Sequence, residues 1–109
     1  MIDLHSHILS GLDDGAREPE RSLEMARVSV ADGVTDVVCT PHWVLGKYDN
    51  TRPAILAACD DLRARLAEAG IPLTLWPGAE LHVDTSIPER IRSGELLTIA
   101  DGGKYVLIE

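Results

Sequence analysis

A chain of 109 residues, 45% hydrophobic and 26% charged, is enough for one domain with a core and excludes a disordered polymer. Its formal net charge of -8 leaves no basic stripe for phosphates, which argues against nonspecific nucleic-acid or anionic-membrane partners and suits a cation. No positive-then-apolar leader and no apolar run of about 18 residues is visible, so the sequence reads as neither secreted nor membrane-spanning.

The first stretch, MIDLHSHILSGLDDG, organises the rest. His5 and His7 lie two apart in a run short enough to be one strand, so their side chains share a face. Asp13 and Asp14 follow on a Gly-punctuated loop, and together these residues make a first half of a nitrogen-and-oxygen metal site. Taken alone, the same residues also suit a solvated strand end and a turn. Recurrence favours the metal: later strand-like runs end in His42, Glu80 and Glu109, and α/β barrels place their chemistry at the C-terminal ends of strands.

Residues 18–32 read as a helix, with Pro19 in the first turn, acids at the N-terminal end, Leu23, Ala26 and Val30 at helical spacing, and Gly33 as its stop. Residues 34–40, VTDVVCT, suit a buried strand, and Pro41 ends it just before His42. The polar loop 43–52 is long enough to cover a site, with Lys47 and Arg52 read as solvated charges rather than phosphate contacts. Thr51 is the expected cap of a second helix whose stripe is Ile55, Leu56, Cys59, Leu62 and Leu66, closed by Gly70. Residues 73–76 form a short strand broken by Pro77 and Gly78, Glu80 follows, and His82 reads as a polar rim residue. Ser86 caps a short helix over 88–92. Residues 96–100 and 104–108 are then expected as strands around Asp101-Gly102-Gly103, which permits a hairpin. Cys39 and Cys59, both in apolar runs, read as reduced core thiols of a cytoplasmic protein. The alternation of strands and helices predicts an α/β fold with a mainly parallel sheet.

Four separated motifs, MIDLHSHILSGLDDGA, TPH at Thr40 to His42, GAEL at Gly78 to Leu81, and the final YVLIE, resemble the PHP domain of the polymerase and histidinol phosphatase superfamily. The resemblance is to its manganese-dependent protein-tyrosine phosphatase branch of capsular polysaccharide operons, and it spans the whole chain. It implies a distorted β/α barrel holding up to three divalent ions, Mn with Fe or Zn as alternatives. These would act on a phosphomonoester such as phosphotyrosine on a regulatory kinase. By the same resemblance His5 and His7 are ligands of one metal, Glu109 is a bridging carboxylate, and Asp14, His42 and Glu80 are the other ligands. Asp13 is left without a ligand role, as a turn residue or a support behind the ligands.

The family chain continues for a comparable length, supplying further ligands and phosphate-holding arginines that have no counterpart here. The expectation is therefore a partial PHP domain over 1–109, the N-terminal half of the barrel. Such a half has an uncovered sheet edge, is inactive alone and marginally stable, and leaves a homo-oligomer or a partner chain open. Two alternatives stay alongside: a small-molecule phosphatase such as one acting on histidinol phosphate, and a noncatalytic module that pairs with another chain.

Overall fold

In the computed structural model, which describes residues 1–109, six short strands alternate with helices in the order expected of an α/β chain. They are β1 (Ile2–Ser6), α1 (Pro19–Ala31), β2 (Asp36–Cys39), β3 (His42–Trp43), α2 (Arg52–Ala69), β4 (Thr74–Pro77), β5 (Glu80–Leu81), α3 (Ile87–Arg92) and β6 (Leu107–Ile108), with a 3₁₀ turn at Ile99–Asp101. All ladders are parallel, in two sheets ordered β1-β2-β4 and β3-β5-β6.

The two sheets are one curved surface broken at prolines. Cys39 pairs with Pro77 before the break and His42 with Glu80 after it, in the same register. Pro41 has no N–H to give to a ladder, but its carbonyl accepts the Glu80 N–H at 2.9 Å, and the Thr40 N–H reaches the Ser6 carbonyl at 2.8 Å. Gly78 lets the second strand pass close at this bend, where a Cβ would stand 3.0 Å from Val38 Cγ1 and 3.2 Å from the Cys39 carbonyl. The bend aims His42 and Glu80 away from the first sheet's ladder while keeping them opposite each other.

Burial follows the helical spacing. Ile55, Cys59, Leu62 and Leu66 line the inner face of α2, and Leu23 and Ala26 that of α1, packed on Val37, Cys39 and Leu75 of the sheet. Each fully buried Leu or Ile there contributes on the order of 1.5 to 3 kcal/mol. Gly70, at φ 69°, closes α2 in the left-handed conformation that side chains resist. Both cysteines are free and buried. No helix is long and apolar enough to cross a membrane.

Several local expectations are corrected. Thr51 and Ser86 occupy the residues before α2 and α3, but neither side chain caps its helix. Ser86 is engaged by Asp84 and Arg90 instead. Pro77 is still paired as the last residue of β4, so the expected break falls one residue later, at Gly78. Residues 96–100 form no strand and there is no hairpin. Leu96, Leu97 and Thr98 are buried as irregular chain, and the backbone turns through Ala100 and Asp101, both at positive φ (57° and 56°). The Gly103 N–H donates to Thr98 Oγ1 at 2.8 Å, closing that turn, and only Leu107–Ile108 pairs, parallel to β5. On β1, at the edge of its sheet, Ile2 and Leu4 are exposed.

Candidate metal centre

The chain leaving β1, β2, β4 and β6 delivers one or two polar side chains each to the same place. His5 lies in β1 and His7 just beyond it, His42 begins β3, Glu80 begins β5 and Glu109 follows β6. Glu80 Oε1 is the point of convergence, with His7 Nε2 at 3.1 Å, His5 Nε2 at 3.2 Å and His42 Nδ1 at 3.2 Å. His42 Nδ1 also lies 3.5 Å from Glu109 Oε2, and its Nε2 lies 3.4 Å from Asp14 Oδ1. The His7 and His42 rings stack at 4.5 Å, and Tyr48 lies over His42 at 5.9 Å.

His5 Nε2 and His7 Nε2 lie in hydrogen-bond geometry with each other at 3.2 Å, but the approaches to Glu80 Oε1 are not hydrogen bonds. Glu80 Oε1 and His42 Nδ1 are buried and have no aligned partner, although they are only 3.2 Å apart. Such orphaned polar atoms are costly unless something else satisfies them. Neutral imidazole nitrogens that carry no proton repel a carboxylate oxygen, and a cation between them removes the repulsion. Metal–ligand distances of about 2.1 Å give ligand-to-ligand edges of about 3.0 to 3.4 Å in octahedral or tetrahedral geometry. The nitrogen–oxygen separations of 3.1 to 3.2 Å fall in that range, so these residues fit a divalent ion.

Three groups could each hold an ion, their ligand atoms lying within 4.8 Å of one another: His5, His7 and Glu80; His42, Glu80 and Glu109; and His7, Asp13, Asp14 and His42. Glu80 belongs to two of them and Glu109 to one. All six sequence-predicted ligand candidates, His5, His7, Asp14, His42, Glu80 and Glu109, are therefore brought together. The donors are imidazole and carboxylate with no thiolate, because Cys39 and Cys59 are in the core. The hydrogen bond with the neighbouring Cys59, and then burial, push the Cys39 thiol far above its usual range.

Asp13 behaves differently from the other acids. Burial pushes its carboxyl up, but hydrogen bonds from the His42 N–H, His7 and the Gly15 N–H together hold it below its ordinary 3.8.

The family model for CpsB/CapC of capsular polysaccharide synthesis matches residues 1–109. The chain belongs to that family. It is 40% identical over its full length to the tyrosine-protein phosphatase YwqE of Bacillus subtilis, and 31% identical to the tyrosine-protein phosphatase CpsB of Streptococcus pneumoniae. It covers 42% and 44% of those two proteins. Its structure matches a chain from the crystal structures of YwqE and CpsB, described as unique metal-dependent tyrosine phosphatases. That match has a TM-score of 0.94 at 40% identity and covers 99% of this chain and 43% of the other. The chain thus spans less than half the length of these relatives.

Beside the cluster, Asp14, His42, Lys47, Tyr48, His82 and Glu109 line an open pocket of about 260 Å³. Lys47 lines this pocket, with its ammonium 5.3 Å from the Tyr48 ring, whereas Arg52 is engaged elsewhere by Asp101 at 2.7 Å. His82 is at the rim, as expected. Two contributors are not legible in the sequence. Tyr48 packs on His42 only because the Val44–Tyr48 bridge curls the loop over it. Asn50 is a buried polar residue whose amide donates to the Leu12 and His42 carbonyls, each at 2.8 Å. Its only sequence signal is a polar side chain next to a helix start, which ordinarily marks a cap.

Proposed function

We propose that this chain carries part of the site of a manganese-dependent phosphomonoesterase whose substrate is a phosphotyrosine protein, such as a tyrosine kinase that regulates capsule or exopolysaccharide synthesis. The observation that carries the reading is the buried Glu80 Oε1, ringed by three imidazole nitrogens without a hydrogen bond. The names of the relatives support the phosphotyrosine class.

His5, His7 and Glu80 would hold one ion, and His42, Glu80 and Glu109 a second, with Asp14 offered to His42's side of the cluster. Bound divalent ions supply a nucleophile from water near neutral pH and neutralise charge on the phosphoryl oxygens, the terms that a slow phosphate-ester hydrolysis needs. The protein's own part is positional. Strand ends fix the donors before substrate arrives, Tyr48 packs against the outer face of His42, and Lys47 sets a positive charge on the pocket wall that an anionic ester must pass. Mixed nitrogen and oxygen donors without thiolate favour manganese or iron over a structural zinc site. The share of the relatives' length covered supports a ligand set completed by residues outside these 109, which form one part of a PHP-type domain.

The test is phosphotyrosine-peptide turnover with and without Mn²⁺, comparing these 109 residues with the chain extended in its reading frame. Mn²⁺-dependent turnover by the extended chain is expected, with background from the short one. Turnover of histidinol phosphate with background on the peptide would replace the substrate. No turnover by either, from a folded protein, would favour a binding module.

A further inference from the structure

Asp13 is the one acid of the cluster whose side chain has no solvent exposure, and all of its visible bonding is internal. Its Oδ2 accepts from His7 Nδ1 at 2.8 Å and from the His42 backbone N–H at 2.8 Å, while Oδ1 accepts from the Gly15 N–H at 2.8 Å. Glu80 is the contrast, since its Oε1 is buried and unpartnered. A carboxylate already facing three N–H donors has little left to offer an ion.

The partners matter because they come from different strands. A proton on His7 Nδ1, given to Asp13, leaves Nε2 as the lone-pair nitrogen, and Nε2 is the atom turned to Glu80 Oε1 at 3.1 Å. The same oxygen holds the backbone at His42, so one side chain sets the placement of both rings. The loop can press this closely only because residue 15 is glycine: a Cβ there would stand 2.5 Å from both His7 Cβ and the His7 carbonyl oxygen.

We propose that Asp13 is a positioning residue rather than a ligand, locking His7 in its Nδ1–H tautomer and clamping it to the His42 backbone so that both rings present lone pairs to the cluster. The proposal rests on the metal-dependent reading of the site, and carboxylates behind ligating imidazoles characteristically raise metal affinity in this way.

Two measurements on wild type and Asp13→Ala test it: the His7 ring tautomer by ¹⁵N NMR of the metal-free protein with the ring neutral, and Mn²⁺ affinity and stoichiometry by titration calorimetry. Expected are Nδ1–H in wild type, mixed tautomers in the variant, and affinity about 10- to 100-fold weaker at unchanged stoichiometry. Unchanged tautomer and affinity in the variant overturn the proposal. Loss of one ion from the stoichiometry also overturns it, because Asp13 would then be a ligand. If Asp13→Ala does not fold, wild type alone still decides, since a His7 found in the Nε2–H form refutes the lock. A wild type in the Nδ1–H form that takes up no Mn²⁺ counts against the metal-dependent reading and leaves the tautomer assignment supported.

Discussion

Glu80 Oε1 is a buried atom whose folded-state cost the proposed ion would offset. A buried carboxylate oxygen without a hydrogen bond destabilises a fold by about 1 to 3 kcal/mol or more, and a bound cation converts that penalty into attraction. Glu80→Gln removes the charge at nearly constant shape. Without metal the variant is therefore expected to melt a few degrees above wild type, at about 4 to 8 °C per kcal/mol for a domain of this size. With Mn²⁺ the order reverses, because the variant loses most of the metal-induced rise that chelator should abolish in wild type. Differential scanning fluorimetry with Mn²⁺ and with chelator reads both, and an equal Mn²⁺ shift in the two proteins would remove Glu80 from the site. At this scale much of the cluster was legible, since His5 and His7 flank the end of β1 while His42 and Glu80 follow β2 and β4 across the bend, and the strands carry a periodic signal. The separate readings of Asp13 and Asp14 came from the family resemblance and not from spacing. Neighbours on a turn have no periodicity, and in the structure the positions of the His7 ring and the His42 N–H tell them apart.

Between elements, the site is held by a few polar clamps at the bend where Pro41 interrupts the ladder. Asn50 joins the loop after β1, through the Leu12 carbonyl, to the start of β3, through the His42 carbonyl. Asn50→Ala strips two half-buried carbonyls of their donor, for an expected loss of about 2 kcal/mol. Asn50→Asp should be worse, since it turns a negative charge on two acceptors. Urea unfolding of the three proteins checks that order, and an Asp variant as stable as wild type would mean that the amide does not donate to these carbonyls. The elements themselves were readable wherever hydrophobic spacing decides, as in α1, α2 and β2. Residues 96–100 failed because LLTIA has the composition of a strand, while Leu96 and Leu97 are buried as irregular chain. What ends any extension there is the pair of left-handed residues, Ala100 and Asp101, and Ala carries no left-handed signal in sequence.

For the molecule as a whole, a net charge of -8 makes the response to acid a question of which carboxylates the fold uses. Asp36, at the start of β2, is one that it uses well away from the cluster. The hydroxyl of Thr35 donates to Oδ1 at 2.7 Å and Trp76 Nε1, across on β4, donates to Oδ2 at 2.9 Å; these bonds, the Thr35 one foremost, hold the carboxyl below its ordinary 3.8. A carboxylate with a depressed folded pKa binds its proton more readily in the unfolded chain. Its contribution is therefore complete above 3.8 and disappears as pH falls through the folded value. Asp13 and Asp84 are depressed as well, so wild type should lose stability in this range through several groups at once. The comparison that isolates Asp36 is Asp36→Asn, measured by thermal unfolding from neutral pH to well below 3.8. The variant should be less stable than wild type at neutral pH, with the two curves converging as acid protonates the wild-type carboxyl. Trp76, freed from an ionised partner, should report the same titration in the fluorescence of folded wild type and not of the variant. Parallel stability curves would show that the carboxylate contributes no charge-dependent term, and would reduce the Trp76 bond to one that any acceptor oxygen can make.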